Sequence, residues 1–328
     1  MKERVLITGA SGFIGYHLVE EALKNNFDVY AAIRRSSNIE HLKNFNIKYT
    51  YPDFADVSLL KKELKENKYD YIIHAAGATK ARSQKEYDHI NAGYTQNLAQ
   101  AVLESGIRLK KFVFIGSLAG VGPLNNLTGI ITEGTIPSPI TAYGKSKLLA
   151  EEYLKAFTSL NYNILRPTGV YGPRDRDIFI FFKQVARGIE PYIGNIEQKF
   201  SFLYVTDLAK AAIRALFTAN QKTYILSDGN FYGRYELGSY IKEGLSSKTI
   251  KLHLPVKFVK LIAKASEKYS SLSNKASVLN VEKINELMAV NWFCSIENAR
   301  ADLGFYPEYN LKTGVTETLK WYKANKWL

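Results

Sequence analysis

The sequence predicts an α/β fold, in which a doubly wound parallel sheet is accompanied by a smaller C-terminal lobe. Short apolar runs alternate with segments of helical length and spacing from the N-terminus to about residue 210. This alternation is typical of parallel sheets that carry helices on both faces. Glycine or other small residues directly follow several of the runs. Ligands of such folds bind at the carboxyl ends of the strands, so these turns form the candidate site.

Composition describes an ordinary globular chain. Its 328 residues are 46% hydrophobic and 23% charged, which allows one large or two modest domains with a substantial core. We assign residues 1–167 with 202–228 to the domain that holds the parallel sheet. Residues 168–201 with 229–328 are assigned to the smaller lobe, where we expect a substrate to bind.

The net charge is +13, from 44 basic and 31 acidic residues. The lysines are scattered, so we favour a solvated surface with a bias toward anionic ligands over a nucleic-acid interface. A single cysteine, Cys294, excludes an intrachain disulfide and fits a reducing compartment. The N-terminus has no signal-peptide core, and no apolar run approaches the roughly 20 residues of a membrane span. We expect a cytoplasmic protein without nucleic-acid or membrane partners, and we assign no metal ligands.

The first strand, Val5–Thr8, ends at a glycine turn that leads into a segment of helical spacing, 17–25. Glycines in this context let the backbone turn tightly and approach a pyrophosphate at the N-terminus of a helix. The spacing here is G-x-x-G-x-x-G rather than the commoner G-x-G-x-x-G. The predicted cofactor contacts in this turn are Gly9, Ser11, Gly12, Phe13, Ile14 and Gly15.

The second strand, Asp28–Ile33, is followed by Arg34, Arg35 and Ser36. An NAD site usually has an acidic residue here, which accepts a hydrogen bond from the ribose 2′-hydroxyl. Arginine side chains instead suit a 2′-phosphate, because guanidinium groups bind phosphate with paired hydrogen bonds. We therefore predict NADP as the cofactor, with NAD as the alternative.

Three more strands are predicted at 47–51, 69–74 and 111–115, with a helical segment at 87–105. Small residues after a strand allow the backbone to approach a cofactor. We interpret His74 as a packed residue at a strand end. The predicted cofactor contacts after the third and fourth strands are Asp53, Phe54, Ala75, Ala76 and Gly77.

Tyr143 and Lys147 are four residues apart, so on a helix they share one face. A phenol has an unperturbed pKa of about 10, and a nearby ammonium group lowers the pKa of a phenol. The pair therefore suits proton transfer to or from an alcohol or carbonyl oxygen. An ordinary amphipathic helix with a surface lysine is the alternative.

The second half begins with a strand at 163–166, and residues 203–219 return to the first domain as a strand and a helix. The aromatic segment 175–187 either walls an apolar pocket or belongs to the core. Residues 254–268 predict an amphipathic helix with a lysine-rich face, which we interpret as solvated rather than bound to a membrane. The aromatic residues of 317–328 are predicted to be core.

Taken together, these motifs resemble the extended short-chain dehydrogenase/reductases of the NAD-dependent epimerase/dehydratase superfamily. The resemblance implies a Rossmann-type fold, with Tyr143 as the general acid-base and Ser117 bound to the reacting oxygen. It implies that Lys147 binds the nicotinamide ribose and lowers the Tyr143 pKa, and that Asn91 completes a proton relay. The residues that carry the resemblance are Thr8–Gly15, Asp53 and Phe54, Ala75–Gly77, Asn91, Ser117, Tyr143, Lys147, Arg166, Pro167 and Tyr204–Ala209.

The family also implies cofactor contacts near the nicotinamide carboxamide from Pro167, Thr168, Gly169 and Val170. Two departures from the family's motifs narrow the range of possible substrates and reactions. Sugar-nucleotide dehydratases of the family follow their catalytic Thr with Asp-Glu, but here Leu118-Ala119 follows Ser117. Gly169 replaces the Asn that sugar-nucleotide members direct toward the diphosphate. The chain resembles most the branch of dihydroflavonol-type reductases and 3β-hydroxysteroid-type dehydrogenases.

The sequence thus predicts an NADP(H)-dependent oxidoreductase that interconverts an apolar carbonyl compound and a secondary alcohol. A nucleotide-sugar epimerase that recycles its cofactor is the alternative. A dinucleotide-sensing regulator is a third reading, but it would not need Ser117, Tyr143 and Lys147. The resemblance also implies a homodimer, with the helix of Tyr143 as a candidate interface. The predicted substrate contacts are Thr79, Lys80, Leu118 and Phe179.

Overall fold

A computed structural model describes residues 2–273 and 281–328 of the chain. Its strands are β1 (Arg4–Thr8), β2 (Asp28–Ala32), β3 (Lys48–Thr50), β4 (Tyr71–His74), β5 (Lys111–Ile115), β6 (Tyr162–Pro167), β7 (Gly169–Tyr171), β8 (Ile189–Ile193), β9 (Lys199–Phe200), β10 (Phe202–Tyr204), β11 (Lys222–Leu226), β12 (Tyr232–Gly233) and β13 (Ile250–Leu254). Its helices are α1 (Phe13–Lys24), α2 (Val57–Asn67), α3 (Gln84–Tyr87), α4 (Tyr94–Ser105), α5 (Ala142–Ala156), α6 (Phe179–Ala186), α7 (Val205–Arg214), α8 (Glu236–Leu245), α9 (Val256–Ser273), α10 (Val281–Leu287), α11 (Glu297–Leu303) and α12 (Leu311–Ala324).

The central sheet has seven parallel strands in the order β11-β6-β5-β4-β1-β2-β3. The strand order reverses between β1 and β4, which is the switch point of a doubly wound sheet. The predicted fold class is therefore confirmed. Because all seven strands run the same way, their carboxyl ends form one edge.

Alternation along each strand divides the core between the two faces of this sheet. Val5 and Ile7 of β1 pack with residues of α1, α7 and α11. Leu6 lies between them in sequence and packs with residues of α2, α4 and α5 on the other face. Both faces are buried, which explains why the strands read as nearly continuous apolar runs.

Two features of the structure cross the predicted division into domains, which stays a prediction. Strand β10 pairs with β7 in a separate two-stranded sheet, and β11 supplies the edge strand of the central sheet instead. Ile296 and Phe305, which flank α11, belong to the same core as β1, although we had assigned residues 229–328 to the smaller lobe. Segment 296–305 therefore covers the central sheet.

The smaller lobe has its own aromatic core. Tyr322 of α12 packs against Phe182 of α6, and Trp327 stacks on Tyr322. This confirms the prediction that the aromatic residues of the C-terminus are core. The lobe also contains the two-stranded sheets β8–β13 and β9–β12.

The predicted amphipathic helix forms as α9. Val259 and Ala263 are buried against Ile284, whereas Phe258 and Leu261 are 54% and 65% exposed. The side chains of two of its predicted lysines, 264 and 268, lie outside the described part of the chain. No helix in the described ranges is long and apolar enough to cross a bilayer.

Candidate active site

Ser117 and Tyr143 come together where the turn after β5 meets the start of α5. The Ser117 hydroxyl accepts a hydrogen bond from the Ala119 N–H at 3.2 Å, and the Thr141 hydroxyl caps α5 by accepting from the Gly144 N–H at 3.0 Å. A Cβ at Gly144 would overlap the Ala119 carbonyl, so only glycine lets α5 start this close to the turn. The closeness brings the Tyr143 phenol near the Ser117 hydroxyl, which lowers the pKa of the phenol.

Burial determines the protonation state of Tyr143. It raises the pKa of the phenol to about 12, and the nearby Ser117 hydroxyl offsets only part of this effect. The charge of Glu286, on α10, raises the pKa further. The predicted lowering of the pKa by Lys147 is therefore wrong for the protein without ligands, because desolvation of the phenolate outweighs the other interactions.

Lys147 points toward the strand ends. Its ammonium group donates to the Ile115 carbonyl at 2.9 Å and lies 4.9 Å from the centre of the Phe114 ring. The residue is only 4% exposed, and burial lowers the pKa of the amine to about 8, although the Glu151 carboxylate acts in the opposite direction. Nζ would lie 3.4 Å from a Cβ at Gly77, so the lysine also borders the loop after β4.

A buried ion pair between Arg166 and Glu151 holds the helix that carries Lys147. Nε of Arg166 donates to both carboxylate oxygens of Glu151, at 3.0 and 3.1 Å, and a terminal nitrogen donates at 2.5 Å. Both side chains are almost completely buried. Glu151 lies one turn after Lys147 on α5, so this pair fixes the helix against β6.

Asn91 is predicted to belong to a proton relay, but its hydrogen bonds in the structure are to the loop after β4 and to α5. Its amide accepts from the Ala78 N–H at 2.7 Å and donates to the Ala78 carbonyl at 3.1 Å. It also donates to the Ser146 hydroxyl at 2.9 Å. Asn91 sits in a π-helical turn, 88–93, a local widening that is frequent at functional sites. It fixes the loop after β4 to α5, and its role in proton transfer stays a prediction.

His74 takes part in a buried hydrogen-bond network that the sequence does not reveal. The Thr8 hydroxyl accepts from the N–H groups of Ala75 and Ala76, so its proton is left for Nδ1 of His74 at 2.7 Å. Burial lowers the pKa of His74 to about 3, so the ring is neutral and Nε2–H donates to Thr95 at 3.0 Å. The packed-histidine interpretation is confirmed, and the network holds the loop after β4 against β1.

The glycine turn has the form that a pyrophosphate site requires. Gly9 has a φ of 69°, and a Cβ there would lie 2.9 Å from the backbone of Ala75 and Ala76. Gly12, at the N-cap of α1, has no side-chain cap and faces open space except for the Gly9 carbonyl. The first N–H groups of α1, beginning at Phe13, therefore remain available to an anion. Ser11 lies in this turn, and Ile14 and Gly15 lie in the first turn of α1, so their positions are compatible with the predicted contacts to the cofactor pyrophosphate.

The loop after β2 carries exposed cations. Arg34, Arg35 and Ser36 are exposed, and the Arg35 guanidinium lies 4.9 Å from the centre of the Tyr51 ring. Within residues 2–273 and 281–328, no carboxylate lies within ion-pair distance of either arginine. The turn is held by the Arg34 N–H, which donates to the Ser37 hydroxyl at 3.2 Å.

Asp53 and Phe54 follow β3 at the same edge of the sheet. The Asp53 carboxylate accepts from the Ala55 N–H at 3.0 Å. The Phe54 ring stacks on Tyr94 at 6.1 Å. Their proposed contact with adenine stays a prediction.

The residues after β6 form the joint between the central sheet and the smaller lobe. The Thr168 N–H donates to the Leu226 carbonyl at 3.0 Å, and its hydroxyl donates to the Ser201 carbonyl at 2.9 Å. Gly169 is exposed and starts β7. The backbone of Pro167–Val170 is thus held at the carboxyl end of β6, beside the edge where Lys147 lies.

The predicted substrate contacts fall into two groups. Thr79 and Lys80 are exposed near the boundary between the lobes, where Lys80 forms an ion pair with Asp177 at 2.8 Å. Leu118 is 2% exposed and packs in an apolar cluster with Trp292 beside Ser117. Phe179 packs against Tyr322 and Trp327, with ring centres 4.7 and 5.0 Å away, so its contacts favour the core alternative.

Sequence reasoning missed the carboxylates of α10. Glu282 accepts a hydrogen bond from the Ala142 N–H at 2.9 Å, so it binds the first turn of the helix that carries Tyr143. Glu286 lies one turn further along and acts on the Tyr143 phenol through its charge. Glutamates four residues apart are a common surface pattern, and 140 residues of sequence separate Glu282 from its partner. No local signal could have identified them.

Comparison with known proteins places this geometry among related enzymes. Residues 5–226 match the family described as "NAD dependent epimerase/dehydratase family", which is more than half of the chain. A UDP-glucose 4-epimerase of Vibrio cholerae is 28% identical, over 97% of this chain and 95% of the relative. A ceramide reductase of Caulobacter vibrioides is 25% identical, over 99% of this chain and 96% of the relative.

Solved structures show the same architecture. The UDP-glucose 4-epimerase of Thermotoga maritima, determined with UDP-glucose, superposes with a TM-score of 0.80 at 22% identity, and the match covers 98% of this chain and 99% of that one. At this identity the likeness concerns the fold, including the smaller lobe.

Proposed function

Because the chain belongs to the NAD-dependent epimerase/dehydratase family, we propose that it is an NADP(H)-dependent oxidoreductase that interconverts a carbonyl compound and a secondary alcohol. The observation that carries the proposal is the assembly of Ser117, Tyr143 and Lys147 at the carboxyl edge of the central sheet. This edge also bears the glycine turn, whose open N-cap fits a pyrophosphate.

The bound nicotinamide supplies or accepts the hydride. With a pKa of about 12, Tyr143 is protonated at neutral pH, so its hydroxyl can donate a proton to the carbonyl oxygen during reduction. The Ser117 hydroxyl lies close enough to lower the pKa of the phenol, and it would orient the same carbonyl oxygen. The Lys147 ammonium lies under the strand ends, where it would bind the hydroxyls of the nicotinamide ribose.

The choice of NADP rests on the loop after β2. Arg34 and Arg35 are exposed and have no acidic partner in the described ranges, and no carboxylate follows β2 to accept from a ribose 2′-hydroxyl. A 2′-phosphate supplies the missing charge and accepts paired hydrogen bonds from guanidinium groups.

An apolar substrate is supported by the surroundings of Ser117. Leu118, Val121 and Trp292 form an apolar cluster there, and α10 adds two carboxylates near Tyr143, which would repel a diphosphate. The similarity to a ceramide reductase agrees with a lipid-like carbonyl. We also propose a cytoplasmic homodimer, as related enzymes imply.

A sugar epimerase is the second candidate, and one specific observation favours it. The relatives include UDP-glucose 4-epimerases, and the Thermus thermophilus structure of that enzyme was determined as a complex with NAD. An epimerase of this kind regenerates its cofactor, whereas a reductase consumes NADPH in proportion to product. Measuring net NADPH consumption with each substrate class separates the two.

The cofactor assignment is tested by titrating purified protein with NADPH and NADH, in wild type and in Arg34→Ala and Arg35→Ala. We expect wild type to prefer NADPH, and each variant to weaken NADPH binding about 10-fold or more while NADH binding stays unchanged. Equal affinities for both dinucleotides in wild type, or bound NAD that does not exchange, would favour the epimerase.

A further inference from the structure

Arg174 occupies an unusual position between the two lobes. It has a φ of 75°, in the left-handed region that a residue with a side chain rarely adopts, and its turn is closed by the Asp175 N–H, which donates to the Gly172 carbonyl. Its guanidinium lies 4.0 Å from the centre of the Tyr16 ring on α1 and 5.5 Å from that of Trp321 on α12. Two aromatic rings from different lobes therefore fix one cation.

Arg174 and its neighbour Arg176 have no anionic partner in the ranges that the structure describes. The acidic residues of the same segment are engaged elsewhere. The Asp175 carboxylate accepts from the N–H groups at the start of α6, and Asp177 binds Lys80. Arg174 is half-buried, so its charge is only partly solvated and is available to a bound anion.

Arg174 lies beside the glycine turn, because the Tyr16 ring that it contacts belongs to the residue directly after Gly15. The His41 ring lies next to Tyr16, with ring centres 5.9 Å apart. Burial lowers the pKa of His41, and the charges of Arg174 and Arg176 lower it further.

Arg176 follows Arg174 by two residues, and its guanidinium lies 6.0 Å from the centre of the Trp327 ring, which packs on Trp321. The N-terminus of α1, one turn before Tyr16, has neither a side-chain cap nor an acidic residue in its first turn. A helix terminus thus lies beside the Arg174 cation, which has no anionic partner among the described residues, and Arg176 follows in the same segment.

We propose that Arg174 and Arg176 bind the pyrophosphate of the cofactor from the C-terminal lobe, so that the dinucleotide is held between this lobe and the glycine turn. The proposal rests on the proposed function, since it assumes a dinucleotide in this groove. Guanidinium groups suit phosphate because their paired donors match two oxygens of one group. Because Arg174 also contacts Trp321 of α12, binding would join the two lobes.

The test compares two ligands by isothermal titration calorimetry. NADPH and ADP-ribose share the pyrophosphate, but only NADPH has the 2′-phosphate. We expect Arg174→Gln and Arg176→Gln to weaken both ligands about 10-fold, and Arg174→Lys to retain most of the affinity. Arg187→Gln removes an exposed arginine at the end of α6 and serves as the control, with wild-type affinities.

Unchanged affinity for ADP-ribose in both glutamine variants would overturn the proposal, as would a loss confined to NADPH, which would assign the arginines to the 2′-phosphate. Should Arg174→Gln fold poorly in a thermal melt, Arg176→Gln still decides, because that side chain is exposed and lies 6.0 Å from the centre of the Trp327 ring at the edge of the C-terminal aromatic cluster. Wild-type protein that binds neither ligand would instead refute the proposed function itself.

Discussion

The two ends of the candidate cofactor groove are built in opposite ways. At the catalytic end, Lys147 and its neighbours Glu151 and Arg166 are buried, and both carboxylate oxygens of Glu151 accept hydrogen bonds from Arg166. At the adenosine end, Arg34 and Arg35 are exposed and, in the described part of the chain, without acidic partners. Both ends present positive charge, yet only one of them is tied into the core.

The two ends should contribute differently to the folding free energy. A buried charge costs folding free energy unless it is compensated, so changes at the catalytic end should alter activity and stability together. Exposed, unpaired arginines contribute almost nothing to folding, so changes at the adenosine end should alter binding alone. Substitutions of the buried groups should therefore have effects that can be separated into activity and stability.

Tyr143→Phe removes the proton donor and leaves the ring. We expect kcat to fall by about 10²–10⁴-fold, because general acid-base catalysis contributes on that scale. The dissociation constant of NADPH should stay unchanged, since the dinucleotide contacts lie elsewhere on the sheet edge. Steady-state kinetics and calorimetric titration measure the two quantities. Turnover near that of wild type would exclude Tyr143 as the acid-base.

Glu151→Leu leaves the buried Arg166 without its partner. The free energy of unfolding should fall by about 3–5 kcal/mol, the usual cost of an uncompensated buried charge. The matched control is Glu66→Gln, which removes a carboxylate from an exposed pair with Lys62 at 3.9 Å and should change stability by less than about 0.5 kcal/mol. Urea denaturation measures both. Similar effects in the two variants would mean that burial does not distinguish these pairs.

Lys147→Met replaces a buried amine by an apolar side chain of similar length. The pKa of Lys147 is lowered to about 8 in the folded protein, so the folded state binds fewer protons than the unfolded state between about pH 8 and the ordinary lysine pKa near 10.5. The lysine therefore destabilises the fold most below pH 8, and this cost declines as the pH rises to 10.5. The variant should be more stable by about 2 kcal/mol at pH 7.

The advantage of Lys147→Met should shrink between pH 8 and 10.5, since tyrosine titrations affect both proteins alike. Thermal or urea denaturation across this pH range measures it, and activity should be lost throughout. A variant that is less stable than wild type at pH 7 would show that the hydrogen bond to Ile115 outweighs the cost of burial.

The sequence predicted the parallel sheet well because its signals are local. Apolar runs of strand length identify β1, β2, β4 and β5 to within one or two residues. The same locality identified Tyr143 and Lys147, since helical spacing alone places them on one face. The glycine turn was recognisable for the same reason.

Contacts between distant segments could not be predicted from the sequence. The pairing of β10 with β7, the packing of segment 296–305 on the central sheet, and the hydrogen bond from Ala142 to Glu282 each join residues that no sequence pattern relates. The pKa of Tyr143 belongs to this class too. The sequence placed a lysine one turn away, but only the tertiary structure buries the phenol and turns the ammonium toward Ile115.

The sequence by itself determined the fold class, the glycine turn, the Tyr143–Lys147 pair and the cations after β2, because periodicity and turn chemistry act over a few residues. The tertiary structure decided which charges are buried, which are paired and which remain unpaired beside the glycine turn. Burial and pairing depend on the elements packed around a group, and those elements come from all parts of the chain.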